Sequence, residues 1–167
     1  MMHSDGKIQK LNYILSRLLY VGAGLFVVVF VITVILRLIY PYELEWMEGG
    51  VVDHCIRILN GEQLYVQPSV EFVPYIYTPL YYYISAGLMK IIGIGFIAPR
   101  LISIMAAIGS TLLIFASVKR ITGEKTSAYL SSALFIAGYH FTDCWYDLAR
   151  VDSLYLFFIM GGVYFII

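Results

Sequence analysis

The feature that most constrains this chain is an apolar segment from Leu18 to Leu36 that contains no charged side chain. An α-helix rises about 1.5 Å per residue, so roughly 20 apolar residues cross the hydrocarbon core of a bilayer. Hydrophobic residues make up 60% of the chain and charged residues 13%, whereas soluble domains carry about 25% charged residues. Because lipid offers no hydrogen-bond partners to an open backbone, the composition predicts an all-α, polytopic transmembrane helical bundle.

The first span is predicted at about 18–40. A cleaved signal peptide is the alternative, but its apolar region would be shorter and would end in a small-residue cleavage site. Lys7, Lys10 and Arg17 precede the span. Since cytoplasmic flanks are enriched in Lys and Arg, we expect a cytoplasmic N-terminus. The bacterial inner membrane is the default compartment, and the endoplasmic reticulum is the alternative.

Three further apolar segments are predicted as spans, at about 98–118, 127–142 and 153–167. The loop "VKRITGEKTS" after the first of these is the most basic in the chain and should also be cytoplasmic. A full span at 76–96 would place that loop outside. We therefore predict an interfacial helix at 76–96, within an outer loop at 41–97, and keep a true span as the alternative. Tyrosines of this segment suit the headgroup level.

This map makes residues 1–167 the N-terminal part of one membrane domain and places nine of the eleven acidic residues on the non-cytoplasmic side. The formal net charge is zero and Lys and Arg are not clustered, which argues against a nucleic-acid partner. Two cysteines, Cys55 and Cys144, are too few for a disulfide framework and fit no metal motif.

A helix is predicted from Met47 to Asn60, followed by a left-handed stop at Gly61. Its apolar stripe consists of Met47, Val51, Cys55 and Leu59. Asp53 and Arg57 are four residues apart and predict a surface ion pair. His54 lies off the stripe and is expected to be solvated.

Three carboxylates follow the first span within "YELEWMEGG", namely Glu43, Glu45 and Glu48. Acids at a helix N-terminus are common because of the helix dipole, and that explanation remains open for each of them. Together they also suggest a site, because low-dielectric surroundings and neighbouring carboxylates raise a carboxyl pKa. Such a group can remove a proton from an acceptor hydroxyl or hold a divalent cation.

A second charged stretch, "CWYDLARVD", precedes the last span and contains Asp147, Arg150 and Asp152. Asp152 can be a helix N-cap, and Asp147 with Arg150 can be a local ion pair. Arginine at a bilayer edge is also the usual partner of phosphate, through paired hydrogen bonds. His140 and Asp143 are weaker candidates for a functional role.

The order of these motifs resembles the GT-C superfamily of polyprenyl-phosphate-sugar-dependent glycosyltransferases, and in particular protein O-mannosyltransferases and lipid A aminoarabinose transferases. An acidic motif after the first span is similar to "EWMEGGVVDHCIRILNGEQLY". A proline-tyrosine segment is similar to "EFVPYIYTPLYYYISAGL", and an arginine-led span to "PRLISIMAAIGSTLLIFASVKRITG". An Arg-x-Asp before a span is matched by "ARVDSLYLFF". The resemblance covers about residues 10–167.

The resemblance implies transfer of a sugar from a polyprenyl-phosphate carrier to an acceptor on the non-cytoplasmic face. It implies catalytic roles for Glu48 and Glu45, since the first acid of the family pair falls on Met47. Arg150, Asp152 and Asp147 would be substrate-binding residues, with Arg150 and Asp152 helping to hold the lipid phosphate or a divalent metal ion. A divalent metal ion held by Glu48 and Asp152 is an optional cofactor. Membrane lipid and the carrier-linked sugar are the implied partners.

The family has more spans than this chain, so the resemblance implies a fragment that is inactive alone. The alternative is a small non-catalytic multi-span protein, such as a subunit of a membrane complex. A transporter would be expected to bury acids in mid-span, and the predicted spans 18–36, 101–118 and 127–142 contain none.

Overall fold

The computed structural model of the protein describes residues 2–167, with side chains from residue 9 onward. Throughout this range the regular secondary structure is helical. Six α-helices follow one another in the order α1 (Met2–Leu38), α2 (Met47–Leu59), α3 (Leu80–Ile92), α4 (Ile97–Thr122), α5 (Lys125–Ala137) and α6 (Asp152–Ile166). Two short 3₁₀ helices, Gly138–Thr142 and Trp145–Asp147, connect α5 to α6.

Two helices are long and apolar enough to cross a membrane, at Gln9–Leu38 in α1 and Ile97–Thr122 in α4. Only 11% of the most apolar window of α1 is buried inside the molecule. A core helix of a soluble protein would bury such a surface, so this exposure supports contact with lipid. The predicted all-α fold is confirmed for the described residues, with two helices that have the length and apolarity of a membrane span.

Hydrogen bonds connect each end of the membrane-length part of α1 to a neighbouring helix. At one end, Arg100 of α4 donates a hydrogen bond to the carbonyl oxygen of Arg37 in α1 (3.0 Å). At the other end, the Tyr20 hydroxyl of α1 donates to Thr126 of α5 (2.8 Å). Arg37 follows Tyr20 by 17 positions, which corresponds to about 26 Å of helix and is close to the thickness of a hydrocarbon core. We call the end at Arg37 and Arg100 the carboxylate end, and the end at Tyr20 and Thr126 the basic end.

The basic end also holds the loop that was predicted to be cytoplasmic. Arg120 of α4 donates to the carbonyl oxygen of Tyr164 near the end of α6 (3.3 Å), so the last turns of the two helices lie together and α6 runs parallel to α4. α4 packs against both α5 and α6, and α1 packs against α5. Gly109 of α4 allows the close approach of α6, because a Cβ atom there would lie 2.6 Å from the Phe157 ring.

α2 and α3 pack beside the first turns of α4 and form the main core of the molecule. The predicted stripe of α2 is confirmed, since Met47, Val51 and Cys55 are buried and Leu59 is partly buried. Gly61 has a left-handed φ of +75°, as predicted for the helix stop. α3 has 13 residues and is about 20 Å long. This is shorter than the hydrocarbon core, as are α5 with 13 residues and α6 with 15, so within residues 2–167 only α1 and α4 have the length of a span.

Candidate functional site

Glu48 lies at the start of α2 and is completely buried at the carboxylate end. One oxygen, Oε1, accepts hydrogen bonds from Arg100 Nε (2.9 Å) and from the backbone N–H of Ala149 (2.8 Å). The other, Oε2, accepts from Arg100 Nη2 (2.6 Å) and from the N–H of Leu44 (2.7 Å). A carboxylate offers about four lone-pair sites, so all of them are in use.

Arg100, also completely buried, completes this arrangement. Beyond its two bonds to Glu48, the guanidinium donates to the carbonyl oxygens of Tyr40 (2.6 Å) and Tyr42 (2.7 Å), in addition to that of Arg37. The pair therefore joins the end of α1, the turn before α2, the start of α4 and the segment before α6. Arg100 was not among the predicted site residues. The signal for it in the sequence was a single arginine at the start of an apolar span, because a buried cation requires an anionic partner.

The pKa of Glu48 is lowered. Burial by itself raises the pKa, but the hydrogen bonds from Arg100, Ala149 and Leu44 outweigh it. The raised pKa predicted for the first-loop carboxylates is therefore wrong for Glu48, because its charge is neutralised and fully hydrogen-bonded. Of the two predicted catalytic glutamates, Glu45 alone keeps an accessible carboxylate, with 17% of its side chain exposed.

Arg150 connects the two acid-rich stretches. Its Nη1 lies 3.3 Å from Glu45 Oε1, and its Nε donates to Asp152 Oδ2 at 2.9 Å. The guanidinium also stacks over the Trp145 ring, 4.1 Å from the ring centroid. The pKa of Arg150 is raised, since the charges and hydrogen bonds of Asp152 and Glu45 outweigh the lowering effect of burial. Residues 45 and 152 are far apart in sequence, and the fold brings them to one guanidinium.

Asp147 lies apart from this cluster. It forms an ion pair with Arg37 at the end of α1 (2.9 Å) and accepts a hydrogen bond from the Tyr139 hydroxyl (2.8 Å). The local pair between Asp147 and Arg150 proposed from the sequence is therefore wrong, because each has a partner on another segment. Burial raises the pKa of Asp147, and Arg37 and Tyr139 offset this only in part.

Three other local predictions also need correction. Arg57 does not pair with Asp53; it pairs with Glu62 (2.8 Å) and donates to the carbonyl oxygen of Gln63 (3.0 Å). His54 is not solvated but completely buried. Asp152 is the first residue of α6 and not its N-cap, which is Val151, and its carboxylate bonds to Arg150.

An apolar groove of about 440 Å³ opens beside the charged cluster. One wall is formed by residues 76–81 and the other by the start of α6, with Asp152 at the polar end and Tyr155 and Phe158 further along the helix. Val151 and Leu154 contribute to the same wall. Asp152 thus belongs both to the groove and to the chain of contacts through Arg150 to Glu45.

The carboxylates do not fit the metal site that was considered for Glu48 and Asp152. Each oxygen of Glu48 already accepts two N–H groups, and a cation there would have to displace Arg100. Arg150 lies between Glu45 and Asp152, so a positive charge already bridges these two acids. Within the part of the chain that has described side chains, no group of three or more His, Cys, Asp or Glu residues is arranged to hold a metal ion.

Comparisons with protein-family models, curated proteins and solved structures found no match to this chain.

Proposed function

We propose that the protein is the N-terminal part of a membrane glycosyltransferase that takes a sugar from a polyprenyl-phosphate carrier. In this proposal α1, α4, α5 and α6 are four spans and the carboxylate end faces the non-cytoplasmic side of a bacterial inner membrane. The basic end would then face the cytoplasm, as Lys and Arg enrichment requires. α2 and α3 belong to the outer loop and lie at the interface.

One observation carries the proposal: an apolar groove ends at Asp152, and Asp152 is linked through Arg150 to Glu45. A carrier lipid has a long apolar tail and an anionic phosphate, and these require an apolar channel beside a cation. The bonds of Arg150 to the two carboxylates engage Nε and Nη1. The remaining N–H donors of the guanidinium suit a phosphate oxygen.

Glu45 is the proposed base. The acceptor hydroxyl oxygen attacks the anomeric carbon, the bond from that carbon to the phosphate oxygen breaks, and polyprenyl phosphate leaves. The hydroxyl proton passes to Glu45, which is accessible and is held by the N–H of Met47 (3.0 Å) as well as by Arg150. Glu48 is a positioning residue in this proposal, because it accepts the N–H of Ala149 and so holds the residue next to Arg150.

Two measurements test the proposal separately. Binding is tested in this chain in membranes, with a photo-reactive amino acid at Phe158 and radiolabelled polyprenyl phosphate; crosslinking that excess unlabelled polyprenyl phosphate suppresses is the expected result. Absence of such crosslinking would argue for the non-catalytic membrane subunit instead.

Transfer is tested in the complete gene product with a panel of polyprenyl-phosphate sugars. We expect E45Q to lose transfer by about 100-fold or more, the usual range for a general base. E62Q is the matched control, since Glu62 is an exposed glutamate outside the cluster that pairs with Arg57. Equal activity of E45Q and the wild type would refute the assignment of the base.

A further inference from the structure

His54 is a buried histidine in the aromatic core under the loop that follows α2. Its ring stacks against Tyr75 and Tyr82, with ring centroids 5.0 Å and 4.7 Å away, and contacts Phe72 at 4.8 Å. None of its surface is exposed. Gly50 makes room for this packing, because a Cβ atom there would overlap the Tyr75 ring.

Hydrogen bonds determine the protonation state of this ring. Nδ1 lies 2.5 Å from the carbonyl oxygen of Gly50, and Nε2 lies 2.8 Å from the backbone nitrogen of Tyr75. A carbonyl oxygen only accepts and a backbone N–H only donates. Nδ1 must therefore carry the proton and Nε2 must carry the lone pair. A second proton on Nε2 would face the N–H of Tyr75 and remove that bond.

The segment that His54 holds continues directly into the groove. Tyr75 is followed by Ile76, Tyr77 and Thr78, which line the groove wall opposite α6. The Tyr65 hydroxyl also donates to the carbonyl oxygen of Tyr77, but Tyr65 lies in an exposed part of the same loop. The bond from Tyr75 to His54 is thus the one that ties this wall to the buried part of α2.

We propose that His54 is a pH-sensitive positioning residue, whose neutral ring latches residues 72–78 to α2 and whose protonation releases this wall of the groove. Charged and titratable neighbours are Asp53 and Arg57 on α2, Tyr75 on the loop and Tyr82 on α3. The inference rests on the proposed function only for the use of the groove, because the latch itself is a conformational property.

The direction of the pH effect follows from the environment of the ring. Burial lowers the pKa of His54 below 6.5, and the bond to Gly50 and the charge of Asp53 only partly oppose this. A released His54 binds its proton more tightly than a latched one. The latch therefore has its full strength above pH 6.5 and weakens as the pH falls through the lowered pKa.

Hydrogen exchange of the Tyr75 amide tests this proposal in the whole chain, reconstituted in nanodiscs between pH 7.5 and 5. The protection factor, corrected for intrinsic exchange, is expected to fall by up to about tenfold per pH unit between about pH 6.5 and the lowered pKa, since one proton is taken up on release in that range. H54Q provides a non-titrating acceptor near the position of Nε2, so its profile should be flat. H140Q removes an exposed histidine and should keep the wild-type slope.

A flat wild-type profile would overturn the proposal, and so would an unchanged slope in H54Q or a lost slope in H140Q. Amides of α4 in the same samples serve as the internal reference. If they lose protection in parallel with Tyr75, the event is global unfolding and the latch does not exist. This experiment uses no polyprenyl-phosphate sugar and no acceptor substrate. A negative result here is therefore distinct from a negative result in the sugar-transfer assay.

Discussion

Replacing Glu48 by Gln is the most informative perturbation of this molecule. The substitution keeps the size of the side chain but removes its charge, leaving the Arg100 cation buried with three carbonyl oxygens as its remaining partners. The new amide group would also face two donors, the N–H of Leu44 and Nη2 of Arg100. Since both members of the pair are completely buried, neither can turn to water.

Breaking a buried ion pair by removing one partner costs about 3–5 kcal/mol of folding free energy. For proteins of this size each kcal/mol lowers the melting temperature by about 2–4 °C, so E48Q should melt roughly 6–20 °C below the wild type. Removing both charges, in E48Q/R100M, should cost less than the sum of the single changes, because no uncompensated cation remains.

Thermal unfolding in one detergent, followed by the far-ultraviolet circular dichroism of the helices, measures this effect. E62Q is the control, since its ion pair with Arg57 is partly exposed and such pairs contribute at most about 1 kcal/mol. If E48Q melted within 2 °C of E62Q, at the error of the measurement, the buried pair would not be holding the four segments together and the reasoning would be refuted.

Two further predictions follow from the same contacts. D147N should destabilise the protein by less than about 2 kcal/mol, since Arg37 is partly exposed and still donates to the carbonyl oxygen of Cys144. Because the pKa of Asp147 is raised by burial, the wild type should gain stability relative to D147N as the pH falls, and an opposite trend in the melting temperatures would contradict this. In a background without native cysteines, a membrane-impermeant thiol reagent added from outside should label a cysteine at Gln63 and not one at Ile121. Labelling at Ile121 would overturn the proposed orientation.

The length of the apolar runs and the spacing of apolar residues were sufficient to predict the helices. The apolar run from Leu18 to Leu36, the stripe of α2 and the stop at Gly61 depend on residues close together in sequence, and all three are found where they were predicted. Helix boundaries follow from such local rules because backbone hydrogen bonds in a helix join residues four positions apart.

The partners of the charged side chains were predicted less well, and for one reason. Local spacing suggested pairs at i+3 and i+4, such as Asp53 with Arg57 and Asp147 with Arg150. The structure instead gives Arg57 a partner beyond the helix stop and gives Asp147 a partner on α1. A buried charge has to be compensated, and the strongest available partner is often distant in sequence.

By itself the sequence determined that the chain is helical, that one helix has the length and apolarity of a span, and that acids concentrate in two stretches. Only the tertiary structure decided which acids stay accessible to solvent. It encloses Glu48 with Arg100, turns Asp147 toward Arg37 and leaves Glu45 and Asp152 on Arg150 beside a groove. The physical reason is that burial and partner geometry set the availability of a carboxylate, and both depend on segments that meet only after folding.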